Sequence, residues 1–423
     1  MSVVSPRSTL PSPPMSSHPV PAASANATRD PDDARPPVCW LLWGDEPIGG
    51  VRRALLNFAG GLRARGWPVQ LLCLDDGPLA ETLRSLGYTV HCLHEDGQQH
   101  ARYAATAASG RLGQLAALRQ LRGYRPALTA ALRQLRPAVV SVYWPDFLLL
   151  AGGPCRQLGI RLLWEMPEVP SVYRFRLNQR IYAALLAWYR VKPVANSRFS
   201  GERLGQPRGL AVVYPPSDPA QFDPARVQPW RRADWQLPED AILLGAVARL
   251  SPQKCGEALI QALALARSKE PRLHLVFVGG PLDSPYAETL RTLVRQLQLG
   301  AFVHFIPAVD DPAPAQAMMD VILSCRPDAE GFGLSIVEAM LMQKPVLARA
   351  LGGPAETVLD GVTGWHLADA EPATIAAGIA RALAERPRWQ AMGTAARQRA
   401  IAHYSLAVSL PAYERCLRAE PWR

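Results

Sequence analysis

From Val38 onward, short apolar and β-branched runs alternate with stretches whose apolar positions recur every three to four residues. The first pattern suits strands buried on both faces and the second suits amphipathic helices, so their alternation predicts parallel sheets joined by helical crossovers. Strands are expected near 38–44, 68–74, 89–94, 138–143, 161–166, 192–197 and 210–215, with helices near 50–65, 78–87, 112–136 and 146–159. The pattern lapses over "YPPSDPAQFDPARVQPWRRADWQLPED", where Pro215, Pro216, Pro219, Pro224, Pro229 and Pro238 interrupt any helix or central strand. It resumes with strands near 242–248, 273–279, 303–307, 321–325, 345–349 and 364–368, and helices near 255–269, 285–298, 313–319, 334–343, 354–359 and 372–385. Residues 387–402 and 406–420 read as closing helices.

The expected fold is α/β, with two doubly wound Rossmann-like domains facing each other across a cleft. The expected boundaries are a disordered Pro/Ser-rich tail over 1–36, a first domain over 37–215, a linker over 216–240, a second domain over 241–403 and a last helix over 404–423. A chain of 423 residues can fill two cores of this size. Ligands of open parallel sheets bind at the carboxyl ends of the strands, near the point where strand order reverses, which directs attention to the cleft.

Composition changes this picture little. The 48% apolar and 19% charged content is that of a globular protein, and no apolar run approaches the roughly 20 residues of a membrane span. Cys39, Cys73, Cys92, Cys155, Cys255, Cys325 and Cys416 are odd in number, scattered and without metal-ligand spacing, as expected of reduced cytosolic thiols. The eight histidines form no metal-binding pattern and no DxD triplet marks a divalent-ion site, so no metal is expected. Charge is more informative. Residues 37–215 hold 22 Lys and Arg against 11 Asp and Glu, whereas 216–423 hold 21 against 22. A basic first half fits nucleic acid, an anionic membrane surface or a phosphorylated acceptor, or equally a soluble arginine-rich surface. The segment "VYRFRLNQRIYAALLAWYRVK", with Arg174, Arg176, Arg180, Arg190 and Lys192, is either an interfacial helix or a crossover helix. No nucleic-acid-binding module is readable.

Specific chemistry is concentrated in "RPDAEGFGLSIVEAMLMQKPVLARALGGPAETVLDGVTGW". It follows the apolar strand "VILSC" and leads into a helix. Gly331 and Gly333 flank Phe332 ahead of that helix, allowing close backbone approach to a ligand, and the helix N-terminus offers free amides to an anion such as a diphosphate. Glu330 and Glu338 can border one pocket, where carboxylates would accept sugar or ribose hydroxyls. The alternative is a solvent-exposed Glu330 and a Glu338 that merely favours a helix N-terminal turn.

The stretch "EGFGLSIVEAM" resembles, nearly letter for letter, the E-x7-E signature of the retaining family 4 glycosyltransferases, glycosyl transferases group 1 of the GT-B fold. "GAVARLSPQKCGEALIQAL" resembles that family's strand-loop-helix, in which an Arg and a Lys neutralise the donor diphosphate, here Arg249 and Lys254. "LVFVGGP", which contains Gly279, resembles its glycine-ended strand over the nucleotide. "GDEPIGGVRRALLNFAGGLRARG", with Gly49 and Gly50, resembles its N-terminal glycine loop facing the donor. The resemblance implies retaining transfer of a hexosyl group from a UDP-, GDP- or ADP-sugar to a hydroxyl acceptor, a glycan or a lipid-linked glycan, without a metal or other cofactor. Arg249, Lys254 and the backbone at Gly333 and Leu334 would hold the diphosphate, Glu330 the sugar hydroxyls and Glu338 the ribose. Gly331 and Phe332 complete the donor loop. It also implies an acceptor-binding first domain, a last helix packed back on it, and a cytoplasmic enzyme of envelope polysaccharide or glycolipid synthesis, placed at the inner face of the membrane.

On the acceptor side the chain departs from the pattern. Many relatives have a His after the strand that here reads "RLLWEMPEVP", where this chain has Trp164 and Glu165. Glu165 or Glu168 is then a candidate to polarise an acceptor hydroxyl, or a solvent-facing loop acid. Tyr143, Trp144 and Asp146 are a candidate sugar platform or core packing. A GT-B epimerase, a phosphate-acceptor synthase or a non-catalytic GT-B subunit are the competing readings.

Overall fold

The computed structural model describes residues 35–45, 49–95, 99–108, 110–169 and 177–418. The proline- and serine-rich 1–34 stretch and the start of the basic aromatic segment, including Arg174 and Arg176, lie outside these residues.

Two parallel sheets form the frame. The first contains β1 (Val38–Leu42), β2 (Val69–Cys73), β3 (Val90–Cys92), β4 (Val139–Val142), β5 (Arg161–Met166), β6 (Val191–Ala195) and β7 (Ala211–Val212). Its order is β3-β2-β1-β4-β5-β6-β7. The second contains β8 (Ile242–Val247), β9 (Leu273–Val278), β10 (Val303–Ile306), β11 (Val321–Ser324), β12 (Val346–Arg349) and β13 (Gly364–Leu367), in the order β10-β9-β8-β11-β12-β13. Every pairing is parallel. Strand order reverses between β1 and β4 in one sheet and between β8 and β11 in the other, so each has a switch point at which a ligand can sit.

Alternation along the strands explains why both sheets are covered on both faces. In β8, Ile242, Leu244 and Ala246 enter one core while Leu243 and Val247 enter the other. In β1, Val38, Trp40 and Leu42 face away from Cys39 and Leu41. All five residues of β1 and all six of β8 are buried, so the hydrophobic run is nearly continuous, as central parallel strands require.

The proline-rich stretch after β7 packs on the second sheet's core through Phe222, Trp230 and Trp235. The chain then crosses back. The helix Trp389–Tyr404 packs on the helix Leu334–Leu341 of the second domain, and the helix Leu406–Arg418 packs on the helix Gly50–Ala64 of the first. Leu410, Tyr413 and Leu417 complete the first domain's core. The two crossings are hydrogen-bonded to each other, with the Ser217 amide donating to the Tyr404 carbonyl at 3.0 Å.

Candidate active site

A cavity of about 470 Å³ opens between the carboxyl ends of the two sheets. Gly49, Gly50, Arg53, Tyr143, Glu165, Glu168 and Asn196 line it from the first domain, and Arg249, Lys254, Gly279, Arg326, Glu330, Phe332, Gly333 and Leu334 from the second.

The second-domain wall is assembled by three strand ends. Past β8, Arg249 is exposed, and its side chain makes no hydrogen bond or ion pair among the described residues. Lys254, in the short turn that follows, donates to Glu330 Oε2 at 2.6 Å. Past β11, Arg326 donates to the same oxygen at 3.2 Å and to Asp328 at 2.7 Å. Burial opposes ionisation of Glu330, but Lys254 and Arg326 outweigh it and hold the carboxyl below the ordinary glutamate range. The result is an ionised carboxylate that fixes two cations at the cavity wall. Past β9, Gly279 lets two strand ends close up, since a Cβ there would lie 1.8 Å from the Ala248 carbonyl oxygen.

Gly333 precedes the helix Leu334–Leu341 with φ at +88°, in the left-handed region that glycine tolerates. That turn aims the helix N-terminus into the cavity; the Ile336 amide donates back to the Gly333 carbonyl at 2.9 Å, which leaves the amides of Leu334 and Ser335 without partners in their own helix. Cations, free amides and a helix dipole thus converge where an anion would be held.

Two of the residues expected to bind the donor stand elsewhere. Gly331 is not in the cavity wall; it packs on the first domain, where a Cβ would meet Asn196 Nδ2 at 2.8 Å. Glu338 is 1% exposed and lies behind the wall, ion-paired at 2.8 Å with Arg53 of the first domain. Burial pushes its carboxyl up to about 7, with Arg53 pulling it down and Asp311 adding to the rise. Phe332 lines the cavity and packs on Tyr214 and Tyr404 at the domain crossing.

On the first-domain wall, Glu165 is a buried carboxylate and not a loop acid. Its Oε1 accepts from Trp40 Nε1 at 2.9 Å, from the Tyr413 hydroxyl at 2.5 Å and from the Ser141 hydroxyl. Burial raises its carboxyl above the ordinary range, and these donors oppose the rise. Tyr143 lines the cavity; Asp146 instead accepts from the Tyr103 hydroxyl, and Trp144 packs in the domain core.

Sequence reasoning did not single out Arg326, Arg53 or Tyr413. Arg326 had a readable signal, lying just past a strand and four residues before Glu330. The other two meet partners far along the chain and leave no local trace. Among the described residues, no three His, Cys, Asp or Glu side chains gather as a metal site would require.

Residues 228–399 match the family model for glycosyl transferases group 1. Over 220 residues the chain is 34% identical to a GDP-mannose-dependent alpha-(1-6)-phosphatidylinositol monomannoside mannosyltransferase of Mycolicibacterium smegmatis, covering 50% of this chain and 56% of that one. Over 259 residues it is 33% identical to a D-inositol 3-phosphate glycosyltransferase of Streptomyces avermitilis, covering 59% and 53%. The chain therefore spans about half the length of the curated relatives it matches. Among solved structures, Anabaena Alr3699/HepE in complex with UDP and glucose superposes with a TM-score of 0.72 at 21% identity, covering 90% of this chain and 99% of that one. A glycosyltransferase from Rickettsia africae superposes with a TM-score of 0.75 at 17% identity, covering 91% and 100%. The chain thus has the two-domain GT-B fold, and its residues 228–399 match glycosyl transferases group 1.

Proposed function

We propose that this protein is a retaining family 4 glycosyltransferase, moving a hexosyl group from a nucleoside-diphosphate sugar to a hydroxyl acceptor in envelope polysaccharide or glycolipid synthesis. The observation that carries the reading is the convergence of Arg249, Lys254 and Arg326 on the amide-rich start of the helix Leu334–Leu341, facing the cleft. A departing diphosphate develops negative charge there, and prepositioned cations and amides stabilise it without reorganising. In this role the cations need no divalent ion to assist them. Glu330 holds Lys254 and Arg326 in place and accepts donor-sugar hydroxyls, Glu338 receives the ribose, and Gly49 and Gly50 close over the donor from the first domain. Glu165, fixed by three donors, receives the acceptor hydroxyl on the same face of the sugar.

The donor is sought among UDP-, GDP- and ADP-sugars by product formation. Glu330→Ala, assayed with the donor so identified, should lower turnover on the order of 100-fold, far more than it lowers folding stability. Unaltered transfer by that variant would sink the assignment.

The partner on the basic side is an anionic membrane. On the helix Arg111–Gly123, Leu112 and Leu115 are 82% and 65% exposed, with Arg119 and Arg122 exposed on the same element. Exposed leucines beside arginines combine insertion with attraction to acidic lipid. No helix among the described residues is long and apolar enough to cross a membrane. The protein should sediment with phosphatidylglycerol vesicles and not with phosphatidylcholine ones, and Leu112→Asp with Leu115→Asp should abolish it. Absence of wild-type binding at low salt overturns this membrane role.

A further inference from the structure

Arg53 and Glu338 meet across the cleft. Arg53 lies in the first turn of the helix Gly50–Ala64 and lines the cavity. Glu338, on the helix Leu334–Leu341, does not line it. Arg53 Nη1 lies 2.8 Å from Glu338 Oε2, yet that contact lacks hydrogen-bond geometry. Both Glu338 Oε2 and Arg53 Nε are buried without a hydrogen-bond partner among the described residues. A buried ion pair repays its desolvation only with good geometry and satisfied donors and acceptors, and this one has neither. Evident structural cement it is not. A carboxylate needing donors sits behind a cation needing acceptors, beside a cavity whose other wall already gathers cations at a helix N-terminus.

Vicinal ribose hydroxyls would supply the donors Glu338 lacks. We propose that Arg53 is a cross-cleft latch on the donor site: it holds Glu338 until a nucleotide arrives, and the ribose then takes its place. The inference rests on the reading of Glu338 as the ribose ligand. A site that must first give up an internal partner binds its ligand more weakly, by the fraction of molecules in which that partner is already withdrawn. Domain closure and donor binding are thereby coupled, because the two partners belong to different domains.

Calorimetric titration of the full chain with UDP, GDP and ADP, in a double-mutant cycle of Arg53→Met and Glu338→Gln, tests this. For whichever nucleotide binds, Arg53→Met should tighten binding about fivefold, Glu338→Gln should weaken it, and Arg53→Met should add nothing in the Glu338→Gln background. Arg53→Gln serves as a second variant, and thermal melts report whether each variant folds. If Glu338→Gln weakens binding but Arg53→Met does not tighten it, or weakens it equally in both backgrounds, the latch is overturned and the ribose assignment stands. If Glu338→Gln leaves every affinity unchanged, or no nucleotide binds the wild type, the ribose assignment fails and takes the latch with it.

Discussion

Two glutamates eight residues apart have opposite electrostatic fates. Glu330 meets Lys254 and Arg326 and is held ionised, whereas Glu338 is buried against one poorly aligned arginine and its carboxyl rises to about 7 from an ordinary 4.5. Between those values the folded protein keeps a proton that the unfolded chain has released, so this residue's contribution to stability falls as pH rises from 4.5 to 7. The full excursion is on the order of 3 kcal/mol. Urea denaturation at both ends of that window should show the loss in the wild type and a smaller one in Glu338→Gln; identical pH dependence of the two proteins would refute it. Lys254 tests the other glutamate. Lys254→Met removes one of the two cations on Glu330 and one of the cavity's positive charges, so transfer should fall on the order of 100-fold, read from initial rates with the identified donor.

At the scale of elements, the decisive one is the helix Leu334–Leu341, in which every residue but the half-buried Ser335 is buried, from Leu334 at 7% exposure to Ile336 at 0%. A helix packed on almost every side cannot turn in place, so its N-terminus is aimed by packing. The left-handed residue before it sets the entry angle. Gly333→Ala would force a Cβ into that conformation, 2.8 Å from Ile336 Cδ1, at a cost of about 1–3 kcal/mol. The melting temperature should drop and nucleotide affinity with it; a variant that melts lower but binds as tightly would separate the turn from the site. Elements whose period is uniform were legible in the sequence, as β8, β9 and the helix Pro285–Gln296 illustrate. The expected single helix over 112–136 was not. It divides into Arg111–Gly123 and Arg125–Leu135, because Pro126 lacks an amide proton and is accommodated only in a first turn.

At the scale of the whole molecule, the two domains are joined by polar contacts that an apolar pattern does not reveal. Glu356 of the second domain accepts from the Phe199 amide at 2.7 Å, the Arg198 amide at 3.1 Å and the Tyr214 hydroxyl at 2.9 Å. It caps the helix Arg198–Leu204 from across the domain boundary. Glu356→Ala should cost about 2 kcal/mol by leaving these donors without their charged acceptor, measured as a shift in the denaturation midpoint; a change within error would show that water replaces it. By itself the sequence determined the two parallel sheets, the place where the pattern breaks, and the loop from Glu330 through Gly333. Strand burial and helix turns repeat at fixed short periods, and a positive-φ glycine before a helix is a local requirement, so all of these are written in neighbouring residues. Only the tertiary structure decided that Glu338 faces Arg53, that Tyr413 in the last helix reaches Glu165, and that Arg326 joins Lys254 on one carboxylate oxygen. Arg53 to Glu338 and Glu165 to Tyr413 join residues hundreds of positions apart, and nothing in the spacing of a charged side chain specifies which distant partner the folded domains will bring to it.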